Sequence, residues 1–350
     1  MTVRTRADLE SLPVYIPGRN IPGAVKLASN EVSEGPLPSV AAAIAEAAAG
    51  INRYPDNGIT ALSERLAARL NVPQSHLAVG CGSVSLCQQL VQAICGHDDE
   101  VLFAWRSFEE YPRITQVVGA RPCTVALRPD HTHDLPAMLD AISPATRLVF
   151  VCSPNNPTGT AVRRDELVAF LDAVPGGVLV ALDEAYFEFV TDPAVPDGVA
   201  LGRQRDNLAV LRTFSKAYGL AGLRVGYCVA PEPIAAALRK MYVTFSVNSL
   251  AQVAALASLD VADELLTRCQ RIATERDRVR AELITMGYPV PDSQANFVWL
   301  PLGEHTAAFD DHCLEHKVVI RGFPGAGARV TVSDPAENEA FLAAARSFRS

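Results

Sequence analysis

Thr213-Phe214-Ser215-Lys216-Ala217-Tyr218-Gly219-Leu220-Ala221-Gly222-Leu223-Arg224 is the stretch that decides the fold. An apolar, strand-like run from Leu208 to Leu211 ends just before it. A lysine at the mouth of a sheet, flanked by small hydroxyl residues and followed eight positions on by an arginine, suits one chemistry. Its amine can condense with an aldehyde cofactor, while Thr213, Ser215 and Arg224 hold that cofactor's phosphate. The lysine must then be partly desolvated, so that its neutral form is available.

Two further segments supply the rest of such a site. Leu148-Val149-Phe150-Val151-Cys152 runs into the polar turn Ser153-Pro154-Asn155-Asn156-Pro157-Thr158-Gly159. Val178-Leu179-Val180-Ala181-Leu182 runs into Asp183-Glu184-Ala185-Tyr186. Ligands of open parallel sheets bind beyond the carboxyl ends of the strands. Three successive strands ending in Asn156, in Asp183 with Tyr186, and in Lys216 therefore converge on one place. Asp183 suits a protonated pyridine nitrogen, and Asn156 and Tyr186 suit a phenolic oxygen on the same ring. Lys216, once free, suits a base that moves a proton between carbon atoms.

These motifs resemble those of the fold-type I, class-II pyridoxal-phosphate (PLP) aminotransferases, and within them the histidinol-phosphate aminotransferase branch. Tyr15-Ile16-Pro17-Gly18, Lys26-Leu27-Ala28-Ser29-Asn30-Glu31 and Asn52-Arg53-Tyr54-Pro55-Asp56 are branch features, and the likeness covers nearly the whole chain. One segment departs from the branch: Gly80-Cys81-Gly82-Ser83-Val84-Ser85 stands where that pattern has Gly-Asn-Gly-Ser-Asp-Glu. This version is similar to the aromatic-amino-acid aminotransferases of actinobacteria, as are Trp105 to Tyr111 and Ser293 to Leu300.

The resemblance implies an α/β fold: a large domain with a mostly parallel sheet and helices on both faces, plus a smaller α+β domain. It places the N-terminal segment at 1–37, the PLP-binding domain at 38–247 and the small domain at 248–350. It implies a homodimer with shared active sites, in which Tyr54 reaches the phosphate of the neighbouring subunit's cofactor. Phe108 falls where an aromatic stacks on the cofactor ring, and Gly82, Ser83 and Val84 open a phosphate-binding helix. Arg329 matches the arginine that clamps the substrate carboxylate, a task suited to a planar guanidinium. Arg321 matches a second arginine near the substrate, and Asn30 and Tyr15 line the substrate mouth. The implied reaction carries the amino group of phenylalanine, tyrosine or tryptophan to 2-oxoglutarate through PLP and its pyridoxamine form. Histidinol phosphate as donor, or a PLP decarboxylase or lyase on the same scaffold, are the alternatives.

Composition agrees with a globular enzyme. The 350 residues are 49% apolar, and no apolar run approaches the roughly 18 residues that span a membrane. A net charge of −8 without a basic block argues against nucleic acid. The first residues lack an apolar signal region, and the eight cysteines are scattered with no C-x-x-C pair. They read as reduced thiols, so a cytoplasmic location is expected. No metal site is expected. His312, Glu315 and His316 lack the H-E-x-x-H order and read as a solvated helix face, and Asp134 reads as a helix N-cap.

Overall fold

A computed structural model of the chain describes residues 3–6, 9–10, 12, 14, 18–19 and 21–348. Twelve strands in this region are β1 (Val25–Lys26), β2 (Leu77–Gly80), β3 (Glu100–Trp105), β4 (Arg121–Ala126), β5 (Thr146–Cys152) and β6 (Leu179–Asp183), then β7 (Leu208–Thr213), β8 (Gly226–Val229), β9 (Phe297–Leu300), β10 (Val318–Val319), β11 (Arg321–Phe323) and β12 (Gly327–Thr331).

Seven of them form the large sheet, in the order β2-β8-β7-β6-β5-β3-β4. β8 runs antiparallel to both its neighbours, and the remaining pairs are parallel. The central strands are apolar almost throughout because helices cover both faces. Side chains alternate across a strand, so one run feeds two cores. Val149 and Val151 enter one apolar layer, with Val180, Leu182 and Val210. Leu148, Phe150 and Cys152 enter the other, with Ala181, Leu211 and Tyr111. Asp183 shares the parity of Ala181, and its carboxylate is accordingly met by Tyr111 on the second face.

The smaller sheet has the order β11-β12-β9 and is antiparallel. β1 pairs in parallel with β10, which carries the N-terminal segment onto this part of the fold. Leu27 enters the same core as Val298, Leu300, Phe309, Val318, Ile320, Val330 and Phe341. The helices Ala262–Thr285, Thr306–Glu315 and Pro335–Ser347 pack around it.

The run Val318–Arg321 is divided between two sheets: Val318 and Val319 pair with β1, and from Arg321 the chain pairs with β12. The change of partner falls at Ile320, whose side chain remains buried in the core. Glu315 and His316 are exposed, as expected of a solvated helix face, while His312 is half-buried, with its Nε2 3.1 Å from the Ala344 carbonyl of the last helix. Asp134 caps its helix, accepting a hydrogen bond from the Ala137 N–H at 3.2 Å. Among the described residues no helix is long and apolar enough to cross a membrane, and no cluster of three or more His, Cys, Asp or Glu residues could hold a metal ion.

Candidate active site

The carboxyl ends of β5, β6 and β7 open onto one cavity of about 250 Å³. Its walls are Cys152 and Asn156 after β5, Asp183 and Tyr186 after β6, and Thr213, Ser215 and Lys216 after β7. Because these strands are neighbours in the sheet, groups far apart in sequence, from Cys152 to Lys216, meet at one edge. Ser83, Val84 and Phe108 come from segments that follow β2 and β3. The N-terminal segment adds Ser29 and Asn30, and the small sheet adds Arg321 and Arg329.

One end of the cavity is built for an anion. The helix Ser83–Ile94 starts there with its unpaired N–H groups. Arg224 donates to Ser215 Oγ at 3.2 Å and to the Ala221 carbonyl at 3.0 Å. Thr213 Oγ1 donates to Ser215 Oγ at 3.0 Å. Gly82 precedes the helix with φ +79, and a Cβ there would fall on the Arg224 guanidinium. A side chain there would displace the guanidinium from its place beside the helix start.

Further in lies a buried carboxylate. Asp183 is 3% exposed, and burial pushes its pKa up from the ordinary aspartate value. The Tyr111 hydroxyl donates to its Oδ2 at 2.7 Å and the Ala185 N–H to its Oδ1 at 3.2 Å, and both oppose that rise. The next residue locks the turn: Glu184 accepts from Arg212 Nε at 2.9 Å and from the Gly198 N–H at 2.7 Å.

Lys216 Nζ donates to the Ser29 carbonyl at 3.1 Å. Burial, then the nearby Arg329 charge, lower its pKa from the usual lysine value to about 8. Its amine is therefore neutral in a useful fraction of molecules near neutral pH. Tyr186 accepts a hydrogen bond from Asn30 Nδ2 at 2.9 Å, and burial raises its hydroxyl to about 12. Asn30 and Arg224 both adopt left-handed backbone, with φ 56 and φ 62. That conformation is uncommon for residues with a side chain, and it recurs at functional sites.

Arg329 donates to Asn156 Oδ1 and, at 2.6 Å, to the Ala28 carbonyl. Arg321 donates to both carboxylate oxygens of Glu109, at 3.2 and 3.0 Å. The Phe323 ring lies 5.8 Å from the Arg321 guanidinium and 5.9 Å from that of Arg329.

A phosphorylated aldehyde with a basic ring nitrogen needs an anion cradle, a buried carboxylate and an amine of lowered basicity. The residues present fit that group. One sequence candidate stands apart from the cavity, and another has no described position. Tyr54 is 82% exposed and stacks on Phe245 at 4.5 Å, and Tyr15 lies outside the described residues. Three contributors lie in segments that carried the resemblance but had no role assigned to them. Tyr111 reads as a core aromatic, Ser29 acts through its backbone, and Glu109 reads as a helix-start acid.

The match to known families fits this geometry. Residues 22–344 match the family model "Aminotransferase class I and II". The chain belongs to this family. It is an enzyme of the PLP-dependent aminotransferase class, with the fold-type I architecture. It is 60% identical to an aromatic amino acid aminotransferase of Rhodococcus jostii, over 99% of this chain and 96% of that one. It is 56% identical to one of Mycobacteroides abscessus, over 100% of both chains. Among solved structures, it resembles the histidinol-phosphate aminotransferase of Sinorhizobium meliloti in complex with pyridoxal-5'-phosphate. The TM-score is 0.90 and the identity 30%, covering 99% of this chain and 97% of that one.

Proposed function

We propose that this aminotransferase moves the amino group of an aromatic amino acid to 2-oxoglutarate in two alternating half-reactions, as a homodimer using PLP. One observation carries the chemistry: an amine of lowered basicity, a buried carboxylate and the buried arginine Arg329 share one cavity. The aromatic donor is supported by the names of relatives that are 60% and 56% identical.

When bound, PLP supplies a ring that accepts the electron pair released at the substrate α-carbon. Ser83, Ser215, Thr213, Arg224 and the helix start after Gly82 would hold its phosphate. Asp183 would keep the ring nitrogen protonated, its own position fixed by Tyr111. Asn156 and Tyr186 would bond the phenolic oxygen, and Phe108 would cover the ring. Arg329 would hold the substrate carboxylate through paired N–H groups. Lys216 Nζ would then take the proton from the α-carbon and return it to the neighbouring carbon. The same arginine lowers the basicity of Lys216, so substrate binding and proton transfer share one group. Cys152, Val84 and Phe323 line or back the site with apolar surface, and burying an aromatic ring gains roughly 25 cal/mol per Å².

Histidinol phosphate is the second reading, supported by the TM-score of 0.90 to an enzyme of that name. Histidinol phosphate has a phosphate ester where the amino acids have their carboxylate, and Arg329 could accept either anion, so the surroundings of that anion and of the side chain would separate the two. The test is steady-state kinetics with phenylalanine, tyrosine, tryptophan, aspartate and histidinol phosphate at saturating 2-oxoglutarate. The best aromatic donor should exceed histidinol phosphate and aspartate at least tenfold in kcat/KM. If histidinol phosphate is the best donor, the aromatic assignment falls and the aminotransferase chemistry stands.

A further inference from the structure

Two arginines of the small sheet line the cavity, and Glu109, which lines it too, meets one of them. Arg321 and Arg329 are direct partners across the β11–β12 pair, and both side chains line the cavity. Arg329 already faces Asn156 and the Ala28 carbonyl, the position from which it would hold the α-carboxylate. Arg321 is met by Glu109, which sits at the start of the helix Glu110–Val118 that follows β3. The pair thus joins the large sheet to the small one, across the cavity.

The proposed reaction sets a problem that this pair answers. Its two half-reactions need one cavity to take first an uncharged ring and then a second carboxylate. An unpaired arginine beside the ring would be costly, and an apolar wall would reject the carboxylate. We infer that Glu109 is an exchangeable counter-ion for Arg321, and so sets the balance between aromatic and dicarboxylate substrates. With an aromatic amino acid bound, Glu109 stays on Arg321 and the wall is neutral. With an oxo diacid bound, the distal carboxylate takes the place of Glu109, and Arg321 exchanges one carboxylate for another. The Glu109 side chain is 36% exposed, so it can turn to water, and a part-exposed ion pair costs little to open. Arg321 is only 18% exposed and is held beside Phe323, so the cation stays in place while its partner changes.

This inference rests on the proposed pair of substrates but is tested apart from it. Holoenzyme is mixed with glutamate alone or phenylalanine alone, and the single-turnover change in cofactor absorption gives a second-order constant for each. Binding of glutarate, which has two carboxylates and no amino group, is followed by the shift it causes in the same absorption. Glu109→Gln keeps the size of the side chain and removes the competing charge. It should raise the glutamate-to-phenylalanine ratio at least fivefold over wild type and tighten glutarate at least fivefold. Arg321→Gln should lower both by at least fivefold. A smaller change in either variant, or both variants moving the same way, overturns the inference. Bound-cofactor absorption and circular dichroism check that each variant is folded and loaded. A wild-type preference for histidinol phosphate over phenylalanine would defeat the donor assignment instead, and would leave the response of glutarate to Glu109→Gln still decisive here.

Discussion

Arg321 and Arg329 stand directly opposite each other on adjacent antiparallel strands, both facing the cavity. Like charges in that relation destabilise a strand pair. The surroundings offset the cost: Glu109 accepts from Arg321, Asn156 and the Ala28 carbonyl accept from Arg329, and the Phe323 ring lies beside both. The charge of Arg329 also reaches Lys216, where it adds to burial in lowering the amine's proton affinity. The substrate clamp and the catalytic amine are therefore electrostatically coupled, and mutations at one are read at the other.

Lys216 should be the residue that captures the cofactor. Borohydride treatment of the yellow enzyme should fix the cofactor to Lys216, as peptide mass spectrometry would show. Lys216→Ala should still bind PLP through the phosphate contacts and lose turnover. The pKa of about 8 adds a pH signature. The group's proton affinity is lowered, so the neutral amine accumulates as pH rises toward 8 and saturates above it. Uptake of PLP by the apoenzyme should rise about tenfold per unit below that point and level off above it. An ordinary lysine would go on rising to about 10.4. Stopped-flow absorbance over pH 6 to about 10 separates the two, and the absence of a plateau would count against the assignment.

Asp183 and Tyr111 act as a unit. Asp183→Asn removes the charge that would keep the ring nitrogen protonated. It should cost more than about 2.7 kcal/mol of transition-state stabilisation, a hundredfold in rate. Tyr111→Phe keeps the ring that stacks on Phe150 at 4.4 Å and deletes only the hydroxyl donor to Asp183. Hydrogen bonds to charged groups contribute about 1.5–3 kcal/mol, so a loss of about tenfold or more is expected. Single-turnover rates with saturating phenylalanine measure both. A loss under tenfold for Asp183→Asn, with cofactor bound, would sink the pairing.

How much of this was legible in the sequence depends on how far apart the partners lie. Asp183, Tyr186, Asn156 and Lys216 each follow an apolar run that names its own strand, and parallel strands bring their carboxyl ends to one edge. The position of each could be read locally. The partners that tune them could not. Tyr111 meets Asp183 across 72 positions, and Glu109 meets Arg321 across 212. Such contacts depend on which face of which element packs against which, and no short pattern records that. Ser29 contributes a carbonyl, which no side-chain motif can announce. Asn30 was legible as a lining residue and does line the cavity, but no local pattern records that its amide donates to the Tyr186 hydroxyl across 156 positions.

Arg329 should matter for every amino acid alike. Lysine in its place keeps a cation but loses the planar pair of donors. Arg329→Lys should lower kcat/KM at least hundredfold for phenylalanine, tyrosine and aspartate together, about 2.7 kcal/mol. The ratios between donors should change far less than the absolute values. A panel of donors run under identical conditions gives both. If only the aromatic donors suffer, Arg329 belongs to the side-chain pocket and another group holds the carboxylate.

Tyr54 bears on assembly. It is 82% exposed and stacks on Phe245, with Ile51 at 65% and Val243 at 69% exposure in neighbouring segments. Exposed large apolar groups that cluster mark an interaction surface, and Tyr54 does not line the cavity of its own chain. If that surface meets a second copy, Tyr54 serves the other subunit's cofactor. Tyr54→Ala and Lys216→Ala would then each be impaired alone, because every site lacks one group. Exchange of subunits changes this. In a mixed dimer one site receives both substitutions, while the other carries native Tyr54 from one chain and native Lys216 from its partner. With random exchange of equal amounts, half the dimers are mixed, so roughly a quarter of all sites become fully native. Activity should approach that fraction of the wild-type value, with sedimentation confirming a dimer throughout. Mixed dimers that form, as native mass spectrometry would detect, yet recover no activity would mean that each chain completes its own site, and a Tyr54→Ala enzyme as active as wild type would mean that Tyr54 has no part in catalysis.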